Sequence, residues 1–162
     1  MASDFEPERS PAARALAEQA LVWLVHELRE ATLPIIVIGG LVPEVLAREA
    51  EAEAPAHLGT TDVDILIAFH TTLDTDLAPL EQALERAGFT PDPKIAEGWR
   101  WRATVDGVPV KIEFLCDLDN QPAYQAIRLP GCNRLTAANL RGTGFVAREL
   151  AGAILIRASV EL

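Results

Sequence analysis

Residues 59–69 read Gly-Thr-Thr-Asp-Val-Asp-Ile-Leu-Ile-Ala-Phe, and their alternation sets the reading of the whole chain. Side chains along a strand point to opposite faces in turn, so Val63, Ile65, Ile67 and Phe69 share one face while Asp62 and Asp64 share the other. A strand over 62–69 therefore offers a hydrophobic side for a core and two carboxylates on the reverse. Upstream, Pro34 opens Ile35-Ile36-Val37-Ile38, a β-branched run of the buried-strand type, closed by Gly39-Gly40. Leu41 to about Glu53 reads as a helix, with Pro43 tolerable in its first turn, and Pro55–Thr60 as a loop.

The flanking elements follow from periodicity and punctuation. Residues 1–10 are polar and expected to be frayed. Over Pro11–Ala31, Leu16, Ala20, Leu24 and Leu28 recur at helical spacing. A further helix is expected from a cap at Asp76 through Ala87, ended by Gly88. Trp99–Cys116 reads as a β-hairpin about Asp106-Gly107, a strong two-residue turn signal. Such a turn pairs 105 with 108, hence 102 with 111 and 100 with 113. Arg100, Arg102, Lys111 and Glu113 then fall on one face, and Trp99, Trp101, Ile112 and Phe114 on the other. The expectation is an α/β (α+β) fold: a small mixed sheet, helices on one face, and a charged face left open. Past Asp117 the pattern weakens; a short helix near Thr136–Leu140 and a strand near Ala153–Arg157 complete the reading.

Bulk properties narrow the classes. A chain of 162 residues, 49% hydrophobic and 23% charged, fits one globular domain over 1–162. The formal net charge of −10 disfavours a dedicated nucleic-acid-binding module, because a polyanion would then need a local basic patch or bound cations. Met1–Arg9 holds three acids and no apolar run, unlike a secretory signal, and the longest apolar stretches are too short to span a bilayer. Cys116 and Cys132 show no metal-ligand spacing, and a cytoplasmic protein with no membrane partner is the expectation.

Strand, double glycine, helix and an acid-x-acid strand form a combination with a physical rationale. A glycine turn lets backbone N–H groups approach phosphate oxygens. Two carboxylates on one strand face can hold Mg²⁺ or Mn²⁺ for an in-line displacement at phosphorus. Glu113, on the charged face of the hairpin, is the candidate third carboxylate. The fragments VIGG, GTTDVDIL and VKIEFL together resemble the DNA polymerase β-like nucleotidyltransferase superfamily over roughly residues 33–116. The Thr-Asp-x-Asp form and the 22 residues from Gly40 to Asp62 are similar to the AbiEii/MenT toxin-type branch.

That resemblance implies the nucleotidyltransferase fold and a Mg²⁺-dependent transfer of a nucleoside monophosphate from a triphosphate to an acceptor hydroxyl on RNA, a tRNA end or a protein. It implies that Gly39 and Gly40 hold the triphosphate and that Thr60 or Thr61, with Thr61 favoured, bonds a phosphate oxygen. Asp62 and Asp64 would carry metal, and Glu113 would orient or activate the acceptor hydroxyl. An antitoxin partner is a further implication. The family's C-terminal helical portion has no counterpart after the strand expected at 153–157, which implies a shortened or minimal member with weakened acceptor recognition. The apolar 153–157 segment is expected to pair with the sheet or with a second copy of the chain.

Blander readings compete at each position. Asp74 and Asp76 suit a helix cap. Asp117 and Asp119 suit a solvated loop, with Asp117 the runner-up to Glu113. Glu113 itself could form a cross-strand ion pair with Arg100, worth little if exposed. The Trp99–Arg102 run could stack on bases, but the register favours both tryptophans in the core. Gly142-Thr143-Gly144 suits a turn, and His26, His57 and His70 form no ligand cluster. The rival function is a catalytically silent nucleotide-binding or partner-binding module on the same fold.

Overall fold

A computed structural model of the chain describes residues 9–29, 33, 35–42, 60–68 and 75–145. The elements are α1 (Pro11–Glu27), β1 (Ile35–Ile38), a 3-10 turn (Gly39–Leu41), β2 (Asp62–Ile67), α2 (Ala78–Arg86), β3 (Thr90–Pro91), β4 (Arg100–Val105), β5 (Val108–Cys116), β6 (Ala126–Arg128) and β7 (Thr136–Asn139). Together they make a mixed α/β structure with a seven-stranded sheet and, among the described residues, two α-helices. Of the helix expected over 41–53 only Leu41, in the 3-10 turn, and Val42 are described; the strand over 153–157, Phe69, His57, His70 and Asp74 lie outside the described residues.

The hairpin fixes the sheet. Asp106 and Gly107 both take positive φ, 50° and 80°, as a tight two-residue turn between twisted strands requires. The pairs Val105↔Val108, Arg102↔Lys111 and Arg100↔Glu113 follow, as the turn signal predicts. The other edge of β5 pairs in parallel with β2, placing Asp62 beside Lys111 and Asp64 beside Glu113. Antiparallel pairing of β1 with β2 sets Ile38 beside Asp64. The order is β1-β2-β5-β4-β3, with β7 joined to the end of β5 and β6 to β7.

One face of this sheet is the core. Val63, Ile65 and Ile67 from β2, Trp101, Ala103 and Val105 from β4, and Val110, Ile112 and Phe114 from β5 are buried there. Helix α1 lays Ala13, Ala17, Ala20 and Leu24 on it, and α2 lays Leu80, Ala83 and Leu84. Ala17, rather than the expected Leu16, fills the middle of the α1 stripe, since small residues let a helix sit close to a sheet. Ser10 caps α1, its Oγ accepting from the Ala13 N–H at 3.1 Å. The N-cap position of α2 falls on Leu77 rather than the expected Asp76, which stands one residue earlier with its Oδ1 accepting from the Ala78 N–H at 3.0 Å.

Three expectations are corrected. Thr136–Leu140 is not helical: Thr136–Asn139 form β7, which pairs with β5 at Leu115 and Cys116 and with β6. β4 leaves the edge of β5 at Arg100↔Glu113, so the last residues of β5 would otherwise have unpaired backbone groups. β7 satisfies them, and that pairing overrides the helical local preference of Thr-Ala-Ala-Asn. Second, Trp99 does not join Trp101. It precedes β4 and packs with Leu66, Leu115, Ala138, Ile36, Ile38 and Leu140 on the opposite face. Third, that face is therefore not uniformly charged, since an apolar cluster adjoins the charged rows.

The loop after β5 is organised from one buried side chain. Asn139 is fully buried; its Nδ2 donates to the carbonyls of Leu118, Gln121 and Pro122, each at 3.0 Å, and its Oδ1 accepts from the Leu118 N–H at 2.8 Å. Leaving those groups unpaired carries a desolvation cost each. Asn139→Ala should therefore lower stability by about 3 kcal/mol, read by urea unfolding. A loss below about 1 kcal/mol would show that water replaces the amide.

Candidate functional site

Residues of the acid-x-acid strand, the glycine turn and the hairpin meet on the sheet face opposite the helices. Because Ile38 pairs with Asp64, the chain leaving β1 turns directly beside that carboxylate. Gly39 takes φ of 75°, and a side chain there would run into the Asp64 carboxylate. Gly40 presses on Thr60, where an added Cβ would lie 2.7 Å from the Thr60 Cβ. Glycine is thus required twice in succession by what the turn touches. The double glycine, Thr60, Asp62 and Asp64 are brought together as expected.

The two acids differ in setting. Asp62 is the first residue of β2 and is fixed by hydroxyls: Thr60 Oγ1 donates to its Oδ1 at 2.9 Å, and Thr61 Oγ1 to the same oxygen at 3.4 Å. Thr60 is buried, and its hydroxyl hydrogen is committed to positioning Asp62. Thr61 is the less enclosed of the two, with the longer contact. Asp64 lies between the glycine turn and Glu113. Burial, then the charges of Asp62 and Glu113, push its carboxyl from the ordinary 3.8 up to about 6.

Glu113 lies on the same face, next to Asp64 in register, yet its carboxylate is engaged elsewhere. Arg100 Nε and Nη2 both donate to Glu113 Oε1, each at 2.7 Å. Arg100 in turn lies over the Trp99 ring, 4.9 Å from its centroid, with Nη1 4.0 Å from the buried Asp92 Oδ2. Across the sheet this row reads Asp64, Glu113, Arg100. Among the described residues no three His, Cys, Asp or Glu side chains stand together as a preformed metal cage; the Arg100 pairing accounts for that at Glu113. The donors on this face are nonetheless all carboxylate oxygens, which suit a hard divalent cation such as Mg²⁺ or Mn²⁺. Asp62 and Asp64 are the residues that would hold such an ion, and Glu113 could join them only once parted from Arg100.

The decoys take structural roles. Asp117 does not approach the acids: its Oδ2 accepts from the N–H groups of Gly142 at 3.0 Å and Gly144 at 2.6 Å, so the Gly-x-Gly turn holds a carboxylate of the chain itself. His26 lies on α1 beside Arg29. Cys116 and Cys132 are free and buried, and burial pushes both thiols up to about 12, which leaves neither a nucleophile near neutrality. Missed from sequence were Asp92 and the stacking of Arg100 on Trp99. The Trp-Arg adjacency hinted at the latter, but strict alternation hid it.

The Asp64 shift sets a pH dependence. A carboxyl with a raised folded-state value keeps its proton where the unfolded chain has released it, so stability falls as pH rises from about 4 to about 6 and stays lowered above that. A rise of that size is worth about 3 kcal/mol for a fully buried group, and solvent screening of this partly exposed carboxyl brings it to about 2 kcal/mol. Without added metal at pH 8, Asp64→Asn should melt a few degrees above wild type, and the gap should close near pH 4. An equal or lower melting temperature at pH 8 would mean that Asp64 is not held in a like-charged, desolvated setting.

Comparison of this chain with protein-family models, curated proteins and solved structures finds no match, so its chemistry rests on these residues.

Proposed function

We propose that this chain has the nucleotidyltransferase fold and is a Mg²⁺- or Mn²⁺-dependent nucleotidyltransferase. The observation that carries the reading is the convergence of the Gly39-Gly40 turn on Asp64, with Asp62 on the same strand face and Glu113 on the neighbouring parallel strand. A double-glycine turn packed against Asp64 through Gly39 and against Thr60 through Gly40 suits a ligand that brings both phosphate oxygens and cations. A divalent ion at the carboxylates would neutralise charge building on the phosphoryl oxygens.

The chain's own groups divide the remaining work. Backbone N–H groups of the glycine turn lie where phosphate oxygens can approach closely. Thr61 can offer its hydroxyl to a phosphate oxygen, while Thr60 keeps Asp62 oriented. The acceptor hydroxyl oxygen bonds to the α-phosphorus as the bond from that phosphorus to the pyrophosphate oxygen breaks. The hydroxyl proton passes to a carboxylate, with Glu113 the candidate. RNA or protein as acceptor, and a toxin with an antitoxin partner, follow from the sequence resemblance alone.

A specific observation favours a second reading. Glu113 is bound to Arg100, as suits a nucleotide-binding module with no turnover.

One preparation separates the two. A nucleoside triphosphate with Mg²⁺ should raise the melting temperature by several degrees, and the triphosphate without metal should not. α-Labelled triphosphate incubated with total cellular RNA and protein should then yield a labelled acceptor and pyrophosphate. Asp62→Asn and Asp64→Asn should each lower transfer at least ~100-fold, a barrier increase of about 2.7 kcal/mol. Metal-dependent stabilisation with no labelled product would establish the module, and no stabilisation by any triphosphate would reject both readings.

A further inference from the structure

The open question on this face is Arg100, a guanidinium placed among acids that the proposed chemistry would assign to a cation. Its position is built. The Trp99 ring lies beneath it, the buried Asp92 stands behind Nη1, and its backbone carbonyl accepts from the Asp92 N–H at 2.9 Å. Asp92 is fixed as well, Oδ1 accepting from the Lys94 N–H at 3.0 Å. Nothing in this mounting depends on Glu113. The guanidinium is held from behind and one side, while Nε and Nη2 project towards the acid row and share a single oxygen, Glu113 Oε1.

We propose that Arg100 is the phosphate-contacting residue of this site and that its pairing with Glu113 is a resting contact exchanged on loading. The inference rests on the metal-dependent reading above. If Glu113 turned from Arg100 towards Asp64, its neighbour in register, to help hold a divalent cation, the two donors of Arg100 would lose their oxygen. Trp99 and Asp92 would still hold them at the edge of the carboxylate site. A planar fork with two free N–H donors matches two oxygens of a phosphate group. The ligand that supplies cations and phosphate oxygens together is a metal-complexed polyphosphate, either the triphosphate or the pyrophosphate leaving group. Charge bookkeeping agrees: Arg100 balances Glu113 before loading and phosphate after it.

The exchange has an unusual signature, because removing Arg100 should strengthen one ligand and weaken the other. In the full chain, calorimetry with Mn²⁺ alone should give Arg100→Gln an affinity about three- to ten-fold above wild type, as a competing cation is lost. In a Glu113→Gln background the same change should have no such effect, since there is no carboxylate to compete for. Arg102→Gln removes an equal charge one row away and should change Mn²⁺ affinity by less than about two-fold. Pyrophosphate titrated at saturating Mn²⁺ should bind Arg100→Gln at least about ten-fold more weakly. Arg100→Lys should recover part of that loss, because it restores charge without the fork. Weaker binding of both ligands, with Arg100→Lys no better, would make Arg100 a structural residue and overturn the exchange. Tighter Mn²⁺ binding that persists without Glu113 would overturn it too. Wild type that binds no Mn²⁺ would overturn the functional reading and this inference with it, whereas wild type that binds Mn²⁺ and matches Arg100→Gln would overturn the inference alone.

Discussion

The parallel pairing of β2 with β5 sets Asp64 beside Glu113, and the rest of the site follows from it. Two carboxylates on adjacent strands stand about 5 Å apart at the backbone, and like charges directly opposite destabilise a sheet. The structure tolerates this through two accommodations. Asp64 holds its proton to about pH 6, and Glu113 takes a cation from β4 in Arg100. A sheet selected only for stability would put threonine or valine at these positions. Burial of Asp64 beside like charges raises its pKa, which makes the row a functional candidate rather than a solvated edge.

The scaffold under that row is a closely packed core. Trp101, Ile112 and Phe114 are fully buried beneath the β4–β5 hairpin, and the Trp101 Nε1–H donates to the Gly98 carbonyl at 3.1 Å. The residues alternating with them, Arg100, Lys111 and Glu113, are therefore held in register by core packing. At the end of β5, Asn139 and Asp117 tie the following loop and turn to the sheet through side-chain-to-backbone hydrogen bonds. The core face thus supplies the precision of the charged face.

Most of the central architecture was legible because it rests on short-range rules. The Asp-Gly turn fixed the hairpin register, the period of two put Asp62 and Asp64 on one face, and Gly39-Gly40 marked a turn, though the groups that press on it are Asp64 and Thr60. What remained hidden depended on tertiary neighbours. Trp99 broke parity because it lies just outside β4, where the backbone no longer dictates alternation. Thr136–Asn139 became a strand because the end of β5 had backbone groups to satisfy. The sequence also left Glu113 between metal ligand and ion-pair partner, and Arg100 fills the latter role in the structure. Nothing in the spacing marked Asp92 as the support behind that arginine.

The central claim is that Asp62, Asp64 and Glu113 form one divalent-cation site served by the glycine turn. Anomalous diffraction from crystals grown with Mn²⁺ and a non-hydrolysable nucleoside triphosphate analogue tests it most directly. The account predicts a manganese peak within about 2.3 Å of carboxylate oxygens from both Asp62 and Asp64, phosphate oxygens at the Gly39-Gly40 turn, and Glu113 parted from Arg100. Manganese bound elsewhere, or an analogue that leaves this face bare while Glu113 stays on Arg100, would contradict it.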